Sequence, residues 1–366
     1  MQKLKIVFVL AAAGTAPTGG FRIIAGYADR LRARGHDVTL LLPAGAPVKP
    51  TRLRDRIRSW FMGLPQPPAP GETPFITSKD IQVVRIAGKN TLEPGDFPPA
   101  DIYIATWWET VEWLKDAPAD AAKLHLVQGY EVFPYLPVER VHAAYKEPIE
   151  KVVVSKWLQD KLLQHYSAPS ILVENAVDSV SLKQPNRKKS APQTVGFLFS
   201  VAITKNSAMA IAACRILRQR FPDLRVFSFG SHAPRPTEHF PNWIDFQLTP
   251  SNEEIARIYG SCDVWLFSSD EEGFGLPILE AMAAGTPVVA TPAGAAPQII
   301  DSNNGALVSH DADDMAAAAA RILLMQPDVW KKMSLAAEKT AQRRNWDAAA
   351  DEFESAICAV VNRARS

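Results

Sequence analysis

The sequence predicts an α/β protein of two Rossmann-like halves. Short apolar runs alternate with segments of helical period, and the alternation restarts midway along the chain. The 366 residues, 47% of them hydrophobic, exceed what one compact domain usually holds.

In the first half, Ile6 to Leu10 is fully apolar, as expected of a parallel strand covered on both faces. A small-residue loop, Ala11 to Gly20, follows it. Phe21, Ile24, Ala25, Ala28 and Leu31 then recur at helical spacing, and Gly35 supplies the stop. Val38 to Leu42 reads as the next strand, with others at Val83 to Ile86, Ile102 to Ala105, Leu124 to Gln128 and Lys151 to Ser155. The stretch around 181–192, rich in Lys, Pro, Asn, Gln and Ser, reads as an exposed linker. Beyond it come strand Thr194 to Phe199, helix Ser207 to Arg220 and strand Leu224 to Phe229. Ser251 and Glu254 form a capping box for helix Asn252 to Gly260. Strand Val264 to Phe267, helix Pro277 to Ala284 and strand Val288 to Ala290 complete the core. The final helix has no strand after it and is expected to pack back on the first half. The predicted domains are 1–172 with 348–366, and 173–347, facing across a cleft that takes the ligand at the carboxyl ends of both sheets.

Lys and Arg total 40 against 39 acids, a balance that argues against nucleic-acid binding. Cys214, Cys262 and Cys358 match neither zinc nor redox spacing and suit a reducing compartment. The seven histidines show no ligand spacing, and His36, in the turn before the second strand, is expected to be structural. No apolar run approaches the ~20 residues that cross a bilayer. Ile6 to Ala13 after Lys3 and Lys5 could pass for a signal peptide, but the βα pattern continues unbroken beyond it. The expected location is cytoplasmic. Leu53, Ile57, Trp60, Phe61 and Leu64 share a helical stripe beside Arg52, Arg54, Arg56 and Arg58, so 52–64 is a candidate for peripheral contact with the inner face of the membrane. Packing of that segment on its own domain is the alternative.

The chemistry concentrates in Ser268 to Ile300. A strand ends at Phe267, a loop carries Glu272, Gly273, Phe274 and Gly275, and a helix opens near Leu276–Pro277. Helix-start N–H groups attract anions, and glycines let a phosphate approach the backbone. Glu272 and Glu280 stand too far apart for one acid/base pair, since five helical residues alone rise about 7.5 Å. They suit the two hydroxyl-rich ends of one long ligand with an anion between, the layout of a nucleotide sugar.

The span from Glu272 to Glu280, enclosing Gly-Phe-Gly-Leu-Pro and followed by Ala-Met-Ala-Ala-Gly-Thr-Pro-Val-Val, resembles the retaining glycosyltransferases of family 4, of GT-B fold. Gly19-Gly20 with Tyr27-Ala-Asp-Arg-Leu, and Asn175-Ala-Val-Asp178, resemble the family's opening loop and interdomain signature. Ala105-Thr-Trp-Trp-Glu-Thr110 and Val127-Gln-Gly-Tyr-Glu131 look like a subgroup found among surface-polysaccharide enzymes. The resemblance implies transfer, with retention, of a hexose or deoxyhexose from a nucleotide diphosphate sugar to a sugar or lipid-linked glycan. It implies that Glu272 holds the donor sugar and that Lys205 binds phosphate on the leaving diphosphate. Glu280 would take the ribose, the backbone of Phe274, Gly275 and Leu276 the distal phosphate, and Gly19 and Gly20 would approach the diphosphate from the first domain.

Two positions depart from the family. An arginine usual before the lysine is replaced by Ser200, removing one cation from the phosphate clamp. A histidine common in many members is Gln128, which cannot act as a base, in keeping with the family's use of the departing phosphate as proton acceptor. No Asp-x-Asp clamp stands among these motifs, so no metal or other cofactor is required. Trp107, Trp108 and Glu109, together with Gln128 and Glu131, are acceptor-site candidates, with core packing of the tryptophans the equal alternative. Three other functions share the pattern: a soluble disaccharide synthase, a non-hydrolysing nucleotide-sugar epimerase, and a non-catalytic nucleotide-sugar-binding partner subunit.

Overall fold

A computed structural model describes residues 2–11, 19–44, 81–234 and 240–366. The basic 52–64 segment, His239 and most of the Ala11–Gly20 loop lie outside the described residues. The chain forms two compact units, one of residues 1–154, 158–173 and 350–366, the other of 155–157 and 174–349.

The first unit holds β1 (Lys5–Val9), β2 (Asp37–Pro43), β3 (Gln82–Ile86), β4 (Ile102–Ala105), β5 (Ala122–Val127), β6 (Glu150–Val153) and β7 (Ile171–Leu172). All pair in parallel in the order β3-β2-β1-β4-β5-β6-β7. The second unit holds β8 (Thr194–Leu198), β9 (Arg225–Gly230), β10 (Ile244–Leu248), β11 (Val264–Phe267), β12 (Val288–Ala290) and β13 (Gly305–Leu307), also parallel, in the order β10-β9-β8-β11-β12-β13. Each unit thus repeats the doubly wound order 3-2-1-4-5-6, with its switch point between the first and fourth strands. In the first unit that point lies between β1 and β4, and in the second between β8 and β11. The central strands are apolar on both faces because helices cover both, and every residue of β4 and β11 is buried.

Residues 350–365 of the last helix, Trp346–Arg365, belong to the first unit. Phe353 seats its ring 4.3 Å from that of Tyr27. Glu354 accepts from Arg34 at 2.8 Å and lies 2.9 Å from Nε2 of His36, whose Nδ1 accepts the Leu4 N–H at 3.2 Å. Burial pulls the Glu354 carboxyl upward, but the hydrogen bonds from His36 and Arg34 outweigh it and hold it below its ordinary value. His36 is a structural residue.

The 181–192 stretch is largely exposed, as expected, but it is not a linker between the units, and that part of the expectation is corrected. Its residues fall wholly inside the second unit. Arg187 donates to the carbonyls of Gly260 and Cys262 and to Thr286 Oγ1, with its guanidinium 5.2 Å from the Trp330 ring. The helix Asn252–Ser261 ends at those carbonyls, so the cation satisfies acceptors that a helix terminus leaves open. The Asp263 carboxylate accepts the N–H groups of Ser190 and Thr194 at 2.7 and 2.9 Å, fixing the far end.

Candidate active site

In the second unit, two loops leave the carboxyl ends of β8 and β11 at the switch point. The β8 loop passes Ser200 and a short 3-10 turn, Ile203–Lys205, before Asn206 caps the helix Ser207–Arg220. Asn206 adopts φ 44°, accepts the Met209 N–H through its side chain, and donates to Asp270 Oδ1 at 2.9 Å. Ser268, first residue of the β11 loop, donates to the carbonyls of Lys205 and Asn206 at 3.1 and 2.9 Å. The Asp270 N–H donates to Thr204 O at 2.8 Å. The two loops are thereby stitched together by backbone and hydroxyl groups, leaving the charged side chains to face each other.

That arrangement pairs Lys205 Nζ with Glu272 Oε1, and Ser269 Oγ donates to the same carboxylate oxygen at 2.9 Å. The loop continues to Gly275 at φ 96°, a left-handed value that suits glycine, and the helix Leu276–Ala283 starts there with Pro277 in its first turn. Phe274 anchors the turn with its ring buried, so it offers a ligand only its backbone. Ser155 Oγ donates to Gly273 O at 2.6 Å, and the Ala295 N–H donates to Phe274 O at 2.8 Å. Gly294 sits at φ 59°, where an added Cβ would fall 2.6 Å from Phe274 O and 2.9 Å from the Glu272 side chain. Glu280, half-buried on the helix, accepts the Tyr259 hydroxyl at 2.8 Å. Glu272 and Lys205 are therefore brought together, whereas Glu280 is held separately along the helix. Tyr259, Ser155, Ser269 and Gly294 were not singled out from the sequence. Of these, only Gly294, a glycine soon after a strand, left a turn signal there.

The first unit has a cavity of about 470 Å³ at its own switch point. Its walls include Gly20, from the helix after β1, and Trp107, Gln128, Glu131 and Phe133, from the loops after β4 and β5. Helix Gly19–Ala33 brings Gly20 so close that a Cβ there would meet the Gln128 amide at 3.5 Å. Gln128 Oε1 is buried with no hydrogen-bond partner among the described residues. Thr110 Oγ1 accepts the N–H groups of Thr106 and Trp107 at 2.9 and 3.0 Å, which sets the turn carrying Trp107. Glu131 is only 3% exposed; its Oε2 accepts the Trp108 N–H at 2.9 Å, and its own N–H donates to Tyr145 Oη at 2.8 Å. Burial pushes the Glu131 carboxyl up to about 8, against the Trp108 N–H, which favours the charged form.

One acceptor candidate is corrected. The Trp108 side chain is 2% exposed and packs under the Arg140 guanidinium at 4.8 Å, so it is a core residue and offers no face to a ligand. Glu109, on the same helix Trp108–Trp113, is half-buried; burial raises its carboxyl, with Arg140 pulling the other way. Gly19 opens its helix exposed, beside Gly20.

At the position of the missing arginine, Ser200 donates its N–H to Ser207 Oγ at 2.9 Å and accepts the Ala202 N–H at 3.2 Å, which makes it a turn-former. The one Asp-x-Asp spacing in the chain, Asp311 to Asp313, is a helix cap: the Asp311 carboxylate accepts the N–H groups of Asp313 and Asp314. Among the described residues no cluster of three or more His, Cys, Asp or Glu is placed to hold a metal ion. No described helix is long and apolar enough to cross a membrane.

Two parallel sheets in the 3-2-1-4-5-6 order, each with loops gathered at its switch point, define a protein of GT-B fold. Residues 192–324 match the family model described as glycosyl transferases group 1. A D-inositol 3-phosphate glycosyltransferase of Corynebacterium diphtheriae is 29% identical over 222 residues, covering 53% of this chain and 52% of the relative. The chain spans about half the length, or less, of the curated relatives it first matches. Sucrose-phosphate synthase from Thermosynechococcus elongatus superimposes with a TM-score of 0.73 at 16% identity, over 99% of this chain and all of that one. Anabaena HepE in complex with UDP and glucose gives 0.72 at 16% identity, over 97% of this chain and all of that one. These two likenesses are of fold.

Proposed function

We propose that the chain is a metal-independent, retaining glycosyltransferase. It moves a hexose or deoxyhexose from a nucleotide diphosphate sugar to a sugar or lipid-linked glycan, in the making of surface polysaccharide or glycoconjugate. The reading places the work in the cytoplasm.

The observation that carries it is the pairing of Lys205 with Glu272 on the loop that opens the Leu276–Ala283 helix. The ammonium offsets the negative charge that grows on a leaving diphosphate, and the carboxylate accepts hydrogen bonds from sugar hydroxyls. Backbone N–H groups at the helix start favour the phosphate between them. Glu280, steadied by Tyr259, takes the ribose hydroxyls. Binding of the donor exchanges the ion pair for contacts with the ligand, so the two side chains are held in reach of it beforehand. In the transfer the bond from C1 to the diphosphate oxygen breaks, and the acceptor oxygen joins C1 on the same face. The acceptor proton passes to the departing phosphate, since Gln128 cannot take it. The cavity of the first unit, with Trp107, Gln128 and Glu131, suits the acceptor. HepE is described with UDP and glucose, which supports a nucleotide sugar as the donor class.

The test is a thermal-shift screen of nucleotide diphosphate sugars, followed by nucleotide release in the presence of soluble sugars and of lipid extracts. At least one nucleotide should stabilise the chain, and the shift should shrink strongly in Glu280→Ala. Isomerisation of the donor without any acceptor, or no nucleotide release with any donor, would overturn the proposal.

A further inference from the structure

Between Glu131 and the helix Val138–Lys146 runs the segment Val-Phe-Pro-Tyr-Leu-Pro. Phe133 forms part of the cavity wall. Its N–H donates to Glu131 O and its carbonyl accepts from the Leu136 N–H, both at 2.9 Å. The second bond closes a four-residue turn with Pro134 in its second place, where the fixed φ of proline stiffens the turn, and Pro137 follows. Tyr135 therefore sits at the third place of a braced turn. Its ring lies on that of Phe133 with centroids 5.3 Å apart and planes only 2° from parallel. Tyr135 is nevertheless 78% exposed, the opposite extreme from buried Tyr27, Tyr103, Tyr145 and Tyr259. The fold gains little from burying it. A rigid turn that ends in an aromatic face turned to water, one ring away from a ligand cavity, is instead built for contact.

We infer that the Phe133–Tyr135 stack is a second sugar subsite, holding the unit of a glycan acceptor next to the one in the cavity; the inference rests on the transferase reading above. The negative face of an aromatic ring attracts the polarised C–H groups on one side of a pyranose, while the sugar's hydroxyls stay in water at the ring's edge. Tyrosine meets both needs, because its body is apolar and its hydroxyl is polar. The subsite is continuous with the cavity through Phe133, so one chain of sugars can occupy both. It selects acceptors of two or more units over single sugars.

The experiment is binding of the intact protein to an array of immobilised mono- to tetrasaccharides of hexoses and deoxyhexoses. Tyr135→Ala should weaken binding of disaccharides and longer glycans about tenfold, with the loss absent for monosaccharides, and Tyr135→Phe should retain it. An unchanged unfolding temperature in Tyr135→Ala confirms that the loss is not one of folding. Equal binding of the wild type and Tyr135→Ala, a loss that ignores glycan length, or a wild type that binds no glycan would overturn the inference. Nucleotide release by the wild type is measured separately. Tyr135-dependent glycan binding without any nucleotide release would leave the subsite standing and overturn the transferase reading alone.

Discussion

The two switch points are built from the same strand order, yet their polar groups are of opposite kinds. At the end of β8 and β11, Lys205 and Glu272 present full charges, 28% and 11% exposed, that satisfy each other. At the end of β4 and β5, Gln128 is neutral with a buried oxygen that has no partner among the described residues, and Glu131 sits where burial favours its neutral form. A charged pair prepares for a charged ligand, because charge developing in a reaction is stabilised best by charges already in place. Buried neutral groups, one of them an acceptor without a partner among the described residues, suit a neutral ligand rich in hydroxyls, which gains affinity by completing their hydrogen bonds. The fold supplies position and the loop residues supply chemistry, so on the proposed reading one architecture would serve a diphosphate on one unit and a sugar on the other.

The largest effect should come from the charged side. Glu272→Ala and Lys205→Ala should each slow nucleotide release by about 10²- to 10³-fold, as loss of one preorganised electrostatic partner does. Because the two share a hydrogen bond, the double variant should lose much less than the product of the single losses. Full additivity would mean that the pairing has no functional weight, and the contrast between the units would fall.

Gly294→Ala comes next. It forces a left-handed residue and a Cβ against Phe274 O, so the loop under Glu272 must shift. The expected cost is about 1–3 kcal/mol, read as a lower urea midpoint, together with weaker nucleotide binding. A variant that keeps wild-type nucleotide affinity would show that the loop tolerates movement and that the charged site is not held rigid.

Much of this was legible in the sequence, and what escaped is instructive. Strands such as Val264–Phe267 announce themselves because both faces are buried and nothing polar interrupts them. β7 and β13 did not: β7 has only two residues, and β13 opens with Gly305, whereas the equally short β12 is an unbroken Val-Val-Ala run. The pairing of Glu272 with Lys205 joins two candidate residues 67 positions apart, and no spacing rule connects them. Ser155 supports Gly273 from 118 positions away, again through the fold alone. Arg187 misled because a run of Arg and Lys normally marks a solvated surface. Its guanidinium is drawn inward by the open carbonyls of a helix end that only the folded chain supplies. Trp108 was undecidable in principle, since a tryptophan after a strand packs or binds according to which side of the loop it leaves, and its neighbour Trp107 took the cavity side.

On the neutral side the effects are smaller. Gln128→Leu removes the unpartnered acceptor without adding charge. The acceptor KM should rise about three- to tenfold, the worth of one ordinary hydrogen bond, with kcat changing less. A change in nucleotide affinity of similar size would break the comparison, because the residue would then be serving the donor.

The smallest and most specific test is the protonation of Glu131. Burial raises its carboxyl from the ordinary 4.5 to about 8 in the folded chain. Between those values the folded state holds a proton that the unfolded chain releases, so stability falls as pH rises. The contribution is fully present below 4.5 and is lost progressively through pH 8. Glu131→Gln has no such titration. The wild type should lose unfolding temperature relative to Glu131→Gln as pH rises from about 5 to about 8, and the difference should be constant below about 4.5. His125, kept neutral down to about pH 3 by burial and by Lys151, gives the opposite slope between 3 and 6.5. It does so in both proteins and cancels in the difference. Parallel profiles across the whole range would mean that Glu131 is charged in the fold, and the cavity of the first unit would then be a charged site like the other.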